Sequence, residues 1–406
     1  MKILFLTDNF PPEINAPANR TYEHCMEWVN AGVEVTVITC FPNFPKGKVY
    51  DGYKNKLYQK EEIDGIKVIR VWSYITANEG FTKRILDYIS YAKMAFFAGL
   101  FVKTDLIIAT SPQFFTAVSG WWLSIFKRKK WIMEVRDLWP ESIVAVGAMK
   151  KNKAILFFEK LEKWMYKSAT NLVVVTDSFK EKIIAKGIPA DKIYVHKNGS
   201  NLNLFKTADK DAKLVQKYNL EGKFVYAYIG THGMAHGLDF ILNAIQEIQT
   251  SHPNIHFLFI GDGADKKNLV ALASKLELTN ITFVDSVRKN EVVKYLNLMD
   301  AALVNLRKSD TFLTVIPSKI FEAAAIRKPI LLGVEGETKK IITKYNSGIC
   351  YEPENKVSFI ETVKKMVEEK ENYLTYQKGC DWMSKDFDRK KIANEMLETI
   401  RLTLKK

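Results

Sequence analysis

Lys223-Phe224-Val225-Tyr226-Ala227-Tyr228-Ile229 runs straight into Gly230-Thr231-His232-Gly233-Met234-Ala235-His236-Gly237, and an apolar-periodic segment follows from Leu238. A β-prone run, a glycine loop and a helix start, in that order, open a βαβ unit. Downstream, apolar runs at 255–260, 281–284, 301–305 and 329–332 continue the pattern. Upstream, an earlier set at 2–7, 33–39, 67–72, 106–110, 131–135 and 171–176 has the same grammar. Between its first two members Tyr22, Cys25, Met26 and Val29 recur at helical spacing, and Gly32 stops the helix. The alternation predicts an α/β fold of two Rossmann-like halves.

The polar stretch 198–205, with Gly199 and three asparagines, is the expected linker. It divides the chain into residues 1–203 and 204–385. A terminal helix over 386–406 carries Ile392, Met396, Ile400 and Leu404 on one face, and is expected to pack back on the first half.

At 406 residues the chain suits two domains, and 47% hydrophobic with 26% charged residues is an ordinary globular composition. Cys25, Cys40, Cys350 and Cys380 are far apart with no C-x-x-C pair, which suits a reducing compartment and offers no zinc ribbon. The first apolar run breaks at Asp8-Asn9 and Pro11-Pro12, too early for a signal peptide, and no apolar stretch reaches the length of a bilayer span. A cytoplasmic protein is expected. Nine of the fourteen net positive charges fall in residues 1–203, so an anionic partner sits more naturally there. Nucleic acid is disfavoured, because the lysines are scattered and no helix-turn-helix, zinc-finger or RNA-recognition pattern is legible. Trp121-Trp122-Leu123-Ser124-Ile125-Phe126 followed by Lys127-Arg128-Lys129-Lys130 suits peripheral contact with anionic lipid headgroups, the alternative being a buried crossover helix with a basic end.

The glycine loop, with Gly233 and His236 in it, places backbone amides ahead of a helix, an arrangement that accepts phosphate oxygens. It lacks the G-x-G-x-x-G and Gly-Lys-Ser signatures of dinucleotide and P-loop sites. His232 and His236 are four apart, but no carboxylate or HExxH context accompanies them, and no metal is expected. Ile316-Pro317-Ser318-Lys319-Ile320-Phe321-Glu322 reads as a helix start with Ser318 and Lys319 aimed at an anion and Glu322 one turn on. A lysine for a diphosphate and a carboxylate for ribose hydroxyls is coherent nucleotide chemistry; a capped surface helix with a Lys–Glu pair is the plainer reading. In the first half, the loop from Asp8 to Arg20, with Asn15, follows strand one, where α/β folds bind ligands. Glu134-Val135-Arg136-Asp137-Leu138-Trp139-Pro140-Glu141-Ser142 ends a strand with four charged residues around a tryptophan, although Arg136 and Asp137 could simply be a salt bridge.

These segments resemble retaining glycosyltransferases of the GT-B fold, in the large family numbered four, and most of all its bacterial polysaccharide and O-antigen subgroup, which includes L-fucosamine transferases. The resemblance rests on the Pro-Pro-Glu loop, Pro42-Asn43-Phe44-Pro45 with Gly47 and Tyr50, the run from Arg136 to Ser142, Asn198-Gly199, Gly261-Asp262-Gly263 and Pro317-Ser318-Lys319 with Phe321-Glu322. It implies a nucleotide-sugar donor, UDP-linked and with an N-acetylated amino sugar as one candidate, bound to the second domain across a cleft from the first. Glu322 would hold the ribose, Ser318 and Lys319 the diphosphate, and backbone near Val287-Arg288 the base, while Lys319 with Arg307 neutralises phosphate without a metal or other cofactor. Asp137 would face the acceptor or reacting sugar. Asn15, Arg20, Arg136 and Glu141 complete the acceptor side, where a polyprenyl-diphosphate-linked saccharide would bind. Departures from the family pattern are Ala16-Pro17 in place of a glycine pair, Thr231 and His236 in place of a basic pair, and Thr314 in place of an earlier glutamate. Asp239, near the loop, reads as facing outward. A sugar-nucleotide 2-epimerase and a non-catalytic sugar-nucleotide binder share the architecture and stay open.

Overall fold

Strands whose residues are apolar on both faces need helices on both faces, and both sheets meet that requirement. The computed structural model describes residues 1–44, 46–76, 81–111, 113–141, 152–288 and 291–405; Pro45 and Ser142 of the motifs above lie outside them. The chain forms two units, Met1–Lys197 with Arg389–Lys406, and Asn198–Asp388.

The first unit carries β1 (Lys2–Leu6), β2 (Glu34–Cys40), β3 (Tyr58–Ile63), β4 (Ile66–Val71), β5 (Leu106–Thr110), β6 (Lys130–Val135), β7 (Asn171–Val174) and β8 (Ile193–Val195) in the order β3-β4-β2-β1-β5-β6-β7-β8. All neighbours are parallel except β3, which runs antiparallel to β4. Strand β1 lies between β2 and β5, so the order reverses there and a crevice opens beyond its carboxyl end. Helices Phe81–Leu100, Phe114–Lys127 and Lys153–Ser168 cover one face. Helices Ala16–Asn30 and Arg389–Lys405 cover the other, where Met396, Leu397 and Ile400 join Phe5, Trp28 and Val35 in one core.

The second unit repeats the plan with β9 (Phe224–Ile229), β10 (Ile255–Ile260), β11 (Ile281–Val284), β12 (Ala301–Asn305), β13 (Ile330–Gly333) and β14 (Gly348–Cys350), ordered β11-β10-β9-β12-β13-β14 and parallel throughout. Here β9 is the reversal point, and the glycine loop is what leaves its carboxyl end.

The division falls at Lys197/Asn198 rather than after residue 203. Ser200 N–H donates to Phe387 O at 3.0 Å and the residue bridges Asp388, which ties the linker's start to the end of helix Lys370–Asp386. The terminal helix begins at Arg389, and the Glu23–Arg389 ion pair at 2.7 Å and the Trp28 Nε1 bond to Ala393 O at 2.8 Å fix it to helix Ala16–Asn30.

Candidate active site

In the second unit the glycine loop is sewn to its neighbour. Gly230 N–H donates to Ile260 O, His232 N–H to Asp262 O, and Asp265 N–H to His232 O, all at 2.9–3.0 Å. Gly261 sits at φ +142, and a Cβ there would stand 1.9 Å from Gly230 O, so only glycine lets the two loops touch. A Cβ on Gly230 would lie 2.7 Å from Lys319 Cε. The Lys319 side chain therefore lies across the loop, and its Nζ is 3.6 Å from the centroid of the Tyr228 ring. Burial pushes the Lys319 ammonium down to about 7, against the opposing pull of Glu322 one turn along.

Ser318 precedes helix Lys319–Ala325 and makes no side-chain capping bond; its carbonyl accepts from Phe321 N–H at 3.0 Å. Ser318, Lys319 and Glu322 are half-buried. Burial, then Lys319, lowers His236 to about 4, and burial, Lys266 and Lys319 do the same to His232, so both imidazoles are neutral at neutral pH. Gly233 is not sterically required, since a Cβ there would meet only ordinary contacts at 3.7 Å or more. Val287 is half-buried beyond β11, and the Arg288 carbonyl accepts from Glu291 and Val292 N–H at the head of the next helix.

Arg307 corrects an expectation. Its Nη2 donates to both Asp239 oxygens at 2.8 and 3.0 Å, its Nη1 to Glu354 at 3.3 Å and its Nε to Met234 O at 2.8 Å. A guanidinium already matched by two carboxylates has little charge to lend a phosphate. It clamps the loop to helix Leu238–Ser251, and Asp239, read as merely outward-facing, is half of that clamp.

In the first unit Asn15 caps helix Ala16–Asn30, its Oδ1 accepting Ala18 N–H at 2.8 Å while its amide donates to Asn9 Oδ1 at 2.6 Å. Arg20, expected beside the acceptor, is 1% exposed; its Nε meets Glu134 at 3.1 Å and its Nη atoms donate to His196 O and Lys197 O at 2.9 Å. It is a buried strut, not a surface ligand. Arg136 is half-buried, donates to Pro17 O at 3.4 Å, and stays cationic at neutral pH although burial lowers it to about 10. Asp137 is half-buried just past β6. Glu141 is exposed and pairs with Lys182 at 2.8 Å.

The domain comparisons decide the class. Residues 15–199 match the family described as "Glycosyl transferase 4-like domain", and residues 210–379 match "Glycosyl transferases group 1". The chain is a GT-B glycosyltransferase. A putative colanic acid biosynthesis glycosyl transferase of Escherichia coli, WcaI, is 25% identical over 99% of this chain and 100% of its own length. A probable glycosyltransferase of Pseudomonas aeruginosa, WbjE, is 28% identical over 59% of this chain and 60% of its own. The fold matches the crystal structure of Anabaena HepE in complex with UDP and glucose, with a TM-score of 0.72 at 16% identity and 99% coverage of both chains.

The glycosyltransferase's first unit also holds residues that the sequence reading passed over. Asp8, Glu13 and Asp87 line one cavity with Asn15. Glu13 sat unremarked inside the quoted Pro-Pro-Glu loop. Asp87, inside an apolar helix over seventy residues away, carried no local signal at all. Among the described residues no three His, Cys, Asp or Glu side chains gather as a metal site.

Proposed function

We propose that this glycosyltransferase moves a sugar from a uridine-diphosphate donor, held by the second unit, to a lipid-linked saccharide bound through the first, during synthesis of a bacterial surface polysaccharide, with retention at the anomeric carbon and without a metal. The observation that carries the reading is Lys319 laid across the glycine loop. There, a cation stands beside loop backbone, where charge grows on a departing diphosphate. Glu322 on the same helix is the ribose partner, and the HepE complexes with UDP support the choice of base. The colanic acid relative, and a teichuronic acid one from Bacillus subtilis, support a surface polysaccharide.

The test is transfer from radiolabelled UDP-sugars, N-acetylated amino sugars among them, to polyprenyl-diphosphate saccharides in EDTA. Product should form with EDTA present and keep the donor's anomeric configuration. Activity abolished by EDTA and restored by Mg²⁺ or Mn²⁺ would sink the metal-free account. A putative UDP-N-acetylglucosamine 2-epimerase from Listeria monocytogenes shares the fold, with a TM-score of 0.63 at 12% identity. Donor epimerised in the absence of any acceptor would favour that chemistry instead.

The membrane contact belongs to the same proposal. Phe97, Trp122, Ile125, Phe126, Phe157 and Trp164 stand 42–61% exposed on helices Phe81–Leu100, Phe114–Lys127 and Lys153–Ser168. Ring contacts of Phe96 with Phe97 and Phe126, of Trp122 with Phe126, and of Trp121 with Trp122 and Trp164 join Phe97, Trp122, Phe126 and Trp164 into one patch. Of the four basic residues that follow, Lys127 Nζ donates to Leu100 O and Lys130 Nζ to Leu404 O, while Arg128 and Lys129 are exposed. Aromatic rings beside free cations suit an anionic bilayer surface. Among the described residues no helix is long and apolar enough to cross it. Flotation on vesicles containing anionic lipid should be strong for the wild type and weak for Trp122→Ser/Phe126→Ser and Arg128→Gln/Lys129→Gln. Equal flotation of all three proteins would remove the patch from the mechanism.

A further inference from the structure

A cavity of about 220 Å³ opens in the first unit at the carboxyl end of β1, walled by the loop after that strand, the end of β2 and helix Phe81–Leu100. That is the space of roughly seven waters, on the scale of one sugar ring. Its walls are unusual for a chain of net charge +14: the carboxyls of Asp8, Glu13 and Asp87 and the carboxamides of Asn9, Asn43 and Gln113 line it, against the cation Arg84 among the described residues, with Arg70 and Arg136 acting on Glu13 and Asp8 from outside the lining. Phe44, 42% exposed, adds an apolar side.

Glu13 carries the argument. It is 2% exposed, and its Oε1 accepts the N–H groups of Asn43 and Phe44 at 2.8 and 2.9 Å. Its Oε2 has no partner among the described residues, nor has Asp8 Oδ1. Buried acceptors left without donors are costly, so a cavity that keeps two of them is built for something that brings O–H or N–H groups. A hydroxyl both donates and accepts, which matches a wall of carboxyls and carboxamides.

We propose that this cavity is the acceptor subsite, that it takes one sugar ring without an acidic group, whose hydroxyls donate to Glu13, Asp8 and Asp87, and that it rejects acidic sugars. The proposal rests on the glycosyltransferase reading and adds the class of acceptor to it. A carboxylate or phosphate on the ring would be set against the oxygens of three carboxyls, and each of them that is ionised repels it. Burial raises Glu13 and Asp87 to about 7, so near neutral pH these two are partly protonated and can donate as well as accept.

Saturation-transfer NMR on the full chain tests this with the methyl glycosides of glucose, galactose, mannose and fucose and methyl glucuronide as probes. UDP is present in every tube as a report on the second unit. At least one neutral glycoside should be saturated, the uronide should not, and Glu13→Gln or Asp87→Asn should weaken binding by roughly tenfold or more. Glu13→Gln keeps the oxygen that accepts from Asn43 and Phe44; should it still fail to fold, Asp87→Asn decides the matter alone. Silence from every neutral glycoside, an equal signal from the uronide, or unchanged binding in the folded variants would overturn the proposal. Loss of the UDP signal with the glycoside signal intact would count against the donor reading alone.

Discussion

Replacing Lys319 with alanine should cut kcat by about 10²–10³, the scale for removing one electrostatic stabiliser of a developing charge. The same position should leave a mark on the pH profile. Because burial holds the free ammonium near 7, against 10.5 in water, the unliganded enzyme loses this charge as pH rises through neutrality. The profile of kcat/KM for the donor, which reports the free enzyme, should therefore fall on its alkaline side with a midpoint near 7. Once the diphosphate is bound its negative charge favours the ammonium, so the limb in kcat should lie at higher pH. Lys319→Arg, which keeps its charge throughout, should abolish the neutral limb in kcat/KM even where it is slow. Glu322→Gln should instead raise the donor KM at nearly constant kcat, because ribose is held alike in ground and transition states. A kcat/KM profile flat from pH 6 to 9 in the wild type, with Lys319→Ala at full activity, would remove Lys319 from the chemistry.

What the chain displays of its fold is the buried part. Strands β5, β10 and β12 begin and end where their apolar runs do, since a central parallel strand is apolar on both faces and punctuated at its ends. Strand β3 escaped because it is an edge: Tyr-Gln-Lys-Glu-Glu-Ile alternates exposed and half-buried residues, and its pairing with β4 satisfies the backbone without a hydrophobic signature. Strands β8 and β14, at three residues each, are too short to show any period.

The site was legible where its chemistry is local in sequence. Ser318, Lys319 and Glu322 share one turn, and the glycine loop announces itself by composition; what the sequence could not convey is that Lys319 reaches Gly230 and Tyr228, ninety residues away. The charged residues show the same limit from the other side. Arg307 and Arg20 look alike as loop cations, and only folding reveals that carboxylates from elsewhere, Asp239 and Glu134, have claimed them. Charge pattern alone does not separate a ligand-binding arginine from one that holds the scaffold.

Arg20 allows that distinction to be measured. Arg20 and Glu134 are each 1% exposed. Burial works against the Glu134 charge, but Arg20 and then Arg136 outweigh it and hold the carboxyl below its usual range. Arg20→Ala would leave that carboxylate buried with its principal partner gone, and would also strip the donors from His196 O and Lys197 O. Breaking a buried pair on one side costs about 3–5 kcal/mol, and at roughly 2–4 °C per kcal/mol for a unit of this size the melting temperature should fall by about 6–20 °C. Removing both charges with packing restored, as in Arg20→Met/Glu134→Leu, should recover most of the loss, since an apolar pair of similar volume avoids the desolvation that the ions bear. The acceptor KM of the folded enzyme should change little in either variant. A ligand-binding Arg20 would behave the opposite way, with the melting temperature kept, the acceptor KM raised, and no rescue from the second substitution. Calorimetry and acceptor kinetics on the single and double variants separate the two, and an Arg20→Ala protein that melts within 2 °C of wild type (~0.5–1 kcal/mol by the same conversion) would return the residue to the acceptor site.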